Sequence, residues 1–187
     1  KINVFPVPDG DTGTNLLFTL RPVIKIKDDI SDHFGETMSL IANTCIDSAR
    51  GNSGTIMAQY FVGMSEACLN SETISNQNLG NILDAGYNAA KESMSEPKEG
   101  TIITVMRDII NVASSQKDND NLSKIFSDVY NESIISLEKT PELMKLLKDS
   151  GVVDAGAQGF VDLFEGICYY LENNELINPE SINDDDI

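Results

Sequence analysis

Apolar residues recur along most of this chain at steps of three and four, the interval at which side chains return to one face of an α-helix. Met38, Ile41, Cys45 and Ala49 share a face over 36–50, and Met57, Phe61, Met64 and Cys68 do so over 54–69. Leu79, Ile82, Leu83 and Ala90 mark a helix over 76–94, Ile102, Val105, Ile109 and Val112 one over 101–115, and Ile125, Val129 and Leu137 one over 122–138. A short helix over 14–20 comes before these. Thr140-Pro141 reads as the cap and first-turn proline of another short one. Phe160, Phe164, Ile167 and Leu171 complete the series over 157–172. No segment sustains the two-residue alternation of a strand, so the predicted fold is all-α, a helical bundle or barrel. Met57, Met64, Met106 and Met144 read as core packing between helices.

Composition narrows the picture. The 187 residues are 41% hydrophobic, enough to bury one sizeable core. Thirteen basic side chains against thirty acidic ones leave a net charge of −17, which disfavours nonspecific contact with nucleic acids or anionic lipid. A polyphosphate ligand would need a cation between itself and such a protein. Cys45, Cys68 and Cys168 lie within apolar helical patterns without a C-x-x-C pair, and read as small core residues of a reducing, cytoplasmic compartment. The one histidine, His33, falls in a polar stretch and reads as a surface residue. With no nucleophile-elbow serine, hydrolase triad chemistry is set aside. No run of about 18 apolar residues offers a membrane span, and no signal segment opens the chain. The domain is read as 1–175, cut from a longer protein, with 176–187 as an acidic linker leading onward.

The candidate chemistry gathers in three glycine-rich segments. Asp9-Gly10-Asp11-Thr12-Gly13-Thr14-Asn15, entered through Phe5-Pro6-Val7-Pro8, sets two carboxylates around a glycine, where both can turn toward one hard cation. An EF-hand reading fails, because Gly13, Thr14 and Leu20 stand where that loop needs an acid or amide, a glycine and a bidentate glutamate. Ala49-Arg50-Gly51-Asn52-Ser53-Gly54-Thr55 and Ser150-Gly151-Val152-Val153-Asp154-Ala155-Gly156-Ala157-Gln158-Gly159 both read as loops before a helix, where backbone N–H groups can meet a phosphate. Neither is a Walker loop, and no G-x-G-x-x-G follows a strand. Each alone is compatible with an ordinary turn; three in one short chain favour a ligand.

Asn3 to Asn15, the Gly-Asn-Ser-Gly of 51–54, Glu99-Gly100-Thr101 and Val153-Asp154-Ala155-Gly156 together resemble the DhaL-type (Dak2) kinase domain, closest to the amino-terminal ATP-binding domain of the fatty acid kinase A branch. The resemblance runs from Asn3 to about Leu171. It implies a barrel of about eight helices that binds ATP or ADP at one end through two magnesium ions. By the same resemblance a helix preceding Lys1 is missing, and the full-length protein is expected to be a homodimer.

The resemblance also assigns residues. Asp9 and Asp11 match the paired magnesium ligands and the catalytic positions. Asn3 takes the place of a third ligand that is aspartate in the dihydroxyacetone kinase branch, so metal binding without nucleotide is expected to be weaker. Thr12, Gly13, Thr14 and Asn15 fall at the phosphates, Asn52, Ser53 and Gly54 at a phosphate-facing turn, Gly100 and Thr101 at a nucleotide-lining helix start, and Asp154, Ala155 and Gly156 near the ribose or base. Arg50 either approaches a phosphate or lies at a helix end toward solvent. The implied reaction is γ-phosphoryl transfer to a fatty-acid carboxylate presented by a DegV-like fatty-acid-binding protein. A dihydroxyacetone kinase nucleotide-binding subunit and a regulatory nucleotide-binding module without turnover are the alternatives.

Overall fold

The computed structural model describes residues 10–175. These form eight α-helices and one 3-10 segment, and no strand occurs among them. Helix α1 (Thr12–Leu20) runs directly into the 3-10 segment Arg21–Ile26, where Pro22 sets the first turn. There follow α2 (Phe34–Ser48), α3 (Gly51–Ala67), α4 (Asn76–Glu92), α5 (Ile102–Ser115), α6 (Leu122–Leu143), α7 (Lys145–Ser150) and α8 (Ala155–Asn173).

Packing joins the helices into a closed ring. From α2 through α6 each packs on the next, α6 packs on α8, α8 meets α1, and α1 lies against α2 and α3. The apolar faces read from the sequence point into this ring: Met57, Val105, Ile109, Ile125, Val129 and Phe160 are fully buried. Each such side chain contributes roughly 1.5–3 kcal/mol through burial. Tyr60 and Phe160 meet edge to face at 5.1 Å, and Phe160 meets Phe164 at 5.2 Å, an arrangement that suits the ring quadrupoles. α3 and α4 approach closely through two glycines. A Cβ on Gly63 would fall on the Ala85 carbonyl oxygen, and one on Gly86 would stand 2.9 Å from the Tyr60 ring.

Several helix boundaries differ from the sequence-based expectation. Thr140-Pro141 does not start a helix, because α6 continues through it to Leu143. Pro141 lacks the N–H that would reach the Leu137 carbonyl four residues back. The Thr140 hydroxyl donates to that carbonyl instead, at 2.7 Å, so the last turn survives. The helices α1, α3 and α8 begin earlier than expected, which places Thr12–Asn15 and Gly51–Gly54 in first turns and not in loops.

An apolar cavity of about 510 Å³ lies toward the carboxyl-terminal halves of α1, α3 and α8, away from the glycine-rich segments. The 3-10 segment covers one side with Val23 and Ile24, and Arg21 is the one charged residue in the lining among the described residues. Tyr60 also lines it, and its buried hydroxyl has no hydrogen-bond partner among the described residues.

Candidate nucleotide site

The first two glycine segments converge at the starts of α1 and α3. Gly10, at φ +61°, turns the chain into Asp11, which precedes the first turn of α1 and accepts from the Asn15 N–H at 2.8 Å through its backbone carbonyl. The Asp11 side chain is exposed and makes no capping bond. Gly51 has φ +59°, and a Cβ there would run into the Asn15 amide, so a glycine is required for both reasons. The Ser53 hydroxyl reaches the Thr12 carbonyl at 3.4 Å. Thr14 and Asn52 are exposed, Thr12, Gly13, Asn15 and Ser53 half-buried, and Gly54 is buried against Thr19.

The N-termini of these two helices lack the side-chain acceptors found at most of the others; six-residue α7 lacks one as well. His33 Nδ1 accepts from the Glu36 N–H at 3.3 Å over α2, and Asn121 accepts from the Lys124 N–H at 3.1 Å over α6. At α4 the Asn78 side chain folds back on the Ser75 N–H at 2.8 Å. Among the described residues no side chain caps α1 or α3. The two starts adjoin through Ser53–Thr12 and Asn15–Gly51, each end carrying about half a positive charge, and exposed Asp11 precedes the first of them.

The third glycine segment and Glu99-Gly100-Thr101 meet at the starts of α5 and α8. Asp154 Oδ2 accepts from the Ala157 N–H at 2.8 Å and from the Ile102 N–H at 3.1 Å, so one carboxylate caps two helices. It is 7% exposed, and burial pushes its carboxyl above the ordinary value while the Ala157, Ile102 and Gly156 N–H groups pull it back. The Asp154 N–H donates to Thr140 Oγ1 at 3.2 Å. Gly100, at φ +81°, donates its N–H to Thr104 Oγ1 at 2.9 Å, and the Thr101 hydroxyl donates to the Lys98 carbonyl at 2.7 Å. Ala155 and Gly156 are buried, Gly156 beside Ile102. Leu16 of α1 packs over Gly159 of α8, which ties the two pairs of helix starts into one end of the barrel.

The structure thus brings Thr12, Gly13, Thr14 and Asn15 together with Asn52, Ser53 and Gly54, and Gly100 and Thr101 together with Asp154, Ala155 and Gly156. Asn3 and Asp9 lie outside the described residues. Among the described ones no three His, Cys, Asp or Glu side chains gather as a metal cage. Asp11 fits half of the expected pair: its carboxylate is exposed and free of capping bonds, as a cation ligand requires. The Arg50 guanidinium sits 4.5 Å above the Phe18 ring, a cation–π contact. All three cysteines are buried and unpaired, and burial pushes the Cys45 thiol up to about 11. Sequence reasoning missed Thr19 and Thr104 as part of this end, and gave Glu99 no role beyond its place in the Glu99-Gly100-Thr101 motif. Thr104 Oγ1 donates to Glu99 Oε2 at 2.7 Å, and Arg107 holds the other Glu99 oxygen at 2.6 Å. Only the four-residue step from Gly100 to Thr104 hinted at this.

Residues 6–169 match the DAK2 domain family, and the chain belongs to that family. It is therefore a DhaL-type, nucleotide-binding and kinase-related module. It is 36% identical over 178 residues to protein YloV of Bacillus subtilis, an alignment covering 94% of this chain and 32% of that protein. An uncharacterized protein of Staphylococcus saprophyticus is 35% identical over 183 residues, 97% of this chain and 33% of the relative. One of Mycoplasma genitalium is 34% identical over 192 residues, 98% and 34% respectively. The chain spans about a third of the length of these curated relatives. Among the described residues no helix is long and apolar enough to cross a membrane.

Proposed function

We propose that this domain holds ATP by its phosphates across the adjoining starts of α1 and α3 and passes the γ-phosphoryl group to a fatty-acid carboxylate presented by a DegV-like fatty-acid-binding partner. The observation that carries the reading is the pair of neighbouring helix N-termini that no described side chain caps, while a side chain accepts a first-turn N–H at α2, α5, α6 and α8 and a Ser75–Asn78 capping box closes α4. Free N–H groups and aligned helix dipoles suit phosphate oxygens. The hydroxyls and amides of Thr12, Thr14, Asn15, Asn52 and Ser53 stand at the same place to complete their hydrogen bonding. Gly54 leaves room for the Thr19 hydroxyl between the two helix starts, while Gly100, Thr101, Asp154, Ala155 and Gly156 bound the ribose and base side.

Asp11 with Asp9, and Asn3 as a neutral third ligand, would hold the two magnesium ions. Bound magnesium supplies positive charge that offsets the triphosphate beside a chain of net charge −17. In the transfer, a carboxylate oxygen of the acid bonds to the γ-phosphorus. The bond from that phosphorus to the β–γ bridging oxygen breaks, and its electron pair leaves with ADP, giving an acyl phosphate. The acceptor is ionised near pH 7, since carboxyl groups titrate near pH 4, so no side chain need take a proton. This suits a site end without a histidine: His33, the chain's single one, is engaged at α2. Catalysis then rests on positioning and charge.

The test supplies the full-length protein with ATP, magnesium and either an oleate-loaded partner or dihydroxyacetone, trapping acyl phosphate with hydroxylamine. Hydroxamate formed only with the loaded partner supports the reading. Glycerone phosphate instead would assign a dihydroxyacetone kinase subunit, and retained nucleotide with neither product a regulatory module. Asp11→Asn should lower transfer at least tenfold with unchanged helical circular dichroism; wild-type rates would refute the metal assignment.

A further inference from the structure

The carboxylate segment and the Gly-Asn-Ser-Gly turn touch each other lightly, through Ser53 and Thr12 at 3.4 Å and through Asn15 against Gly51. What fixes one against the other lies a turn deeper. Thr19 is fully buried, although threonine is a polar residue that usually stays at least partly exposed. Its hydroxyl donates to the Asn15 carbonyl at 2.8 Å and accepts from the Arg50 N–H at 3.3 Å. Its own carbonyl accepts from Ser48 Oγ at 2.9 Å. The hydroxyl occupies the place a Cβ on Gly54 would take, so a side chain at 54 would push the two helix starts apart.

From this geometry we propose that Thr19 is a positioning residue for the nucleotide site: its hydroxyl sets the spacing between the start of α1 and the start of α3. The inference rests on the nucleotide reading above. Thr19 touches no ligand itself. It acts through Asn15 on one side and through Arg50, the residue that precedes α3, on the other. A hydroxyl has one proton to give and lone pairs to accept with, and here both capacities are used across two different helices. Phosphate held by two helix starts at once depends on their separation, so affinity for ATP should be more sensitive to this group than the helical content is.

Two variants separate the hydroxyl from the bulk of the side chain. Thr19→Val keeps the shape and removes both hydrogen bonds; Thr19→Ser keeps the oxygen and loses a methyl group. Three quantities are read in the full-length protein: ATP affinity by calorimetry with magnesium present, helical content by circular dichroism, and nucleotide-free hydrogen exchange at the Arg50 amide. Thr19→Val is expected to weaken ATP at least tenfold at a temperature where its helical content equals wild type, and to speed Arg50 exchange. Thr19→Ser is expected to stay within threefold of wild type. Unchanged affinity in Thr19→Val, with only a lower melting temperature, would show a merely structural threonine and overturn the proposal. Equal weakening in both variants would overturn it as well, by tracing the effect to packing. A wild-type protein that binds no ATP would instead refute the nucleotide reading, and this inference with it.

Discussion

Replacing Asp154 by alanine removes one carboxylate from two helix starts. The Ala157 N–H at 2.8 Å and the Ile102 N–H at 3.1 Å both lose their acceptor in a place where the side chain is only 7% exposed. Loss of the cap on α8 alone costs about 1 kcal/mol. Leaving the Ile102 N–H unpaired inside the protein adds about 1–3 kcal/mol. The sum, about 2–4 kcal/mol, corresponds to a fall in midpoint of roughly 5–15 °C for a domain of this size. Asp154→Asn keeps an acceptor oxygen and should cost less. Because burial raises the Asp154 carboxyl, the folded protein holds that proton more tightly than the unfolded chain does. The group's contribution is therefore fully present below the unfolded value of about 3.9 and is lost as pH rises through the raised folded value. Thermal melts followed by circular dichroism should show the stability of wild type relative to Asp154→Asn shrinking as pH climbs from that region toward neutrality. An Asp154→Ala midpoint within about 2 °C of wild type would refute the double-cap account.

Gly63→Ala sets a methyl group on the Ala85 carbonyl and must spread α3 from α4; a loss of about 1–3 kcal/mol in urea unfolding is expected, and a neutral result would contradict the close packing. Tyr60→Phe removes a buried hydroxyl that has no partner, so stability should hold or rise by about 1 kcal/mol, and a loss larger than that would mean the hydroxyl has a bonded role. Cys45, Cys68 and Cys168 are buried, with burial raising each thiol, so a thiol reagent near pH 8 should leave them unmodified in the native protein and label all three after denaturation. Rapid native labelling would place at least one of them at the surface.

The helices were readable because their apolar spacing survives into the fold: Met38 and Cys45, Met57 and Phe61, and Ile102, Val105 and Ile109 all enter the core. Thr140-Pro141 misled for a definite reason. Cap-then-proline is a local signal, and it was overridden by the Thr140 hydroxyl, which satisfies Leu137 and receives the Asp154 N–H from another helix. The 3-10 segment after Leu20 went unforeseen, since a proline next to a helix end specifies a turn but not which one. The glycine-rich motifs were legible as breaks between helices, and the structure sets 10–15 beside 51–54 and 100–101 beside 154–156 at helix starts. The cross-helix tasks of Thr19 and Asp154 could not be read from spacing, because their partners lie 31 and 52 residues away.

The contact of α8 with α1 joins the two helices farthest apart in the described chain. During synthesis the stretch from α1 to α6 leaves the ribosome before α8 can cover its apolar inner face. Until α8 arrives, Leu16 has no Gly159 to lie on and the Ile102 N–H has no acceptor. Transiently exposed apolar surface of this kind is what chaperones shield, and this end of the barrel closes only once α8 has been made.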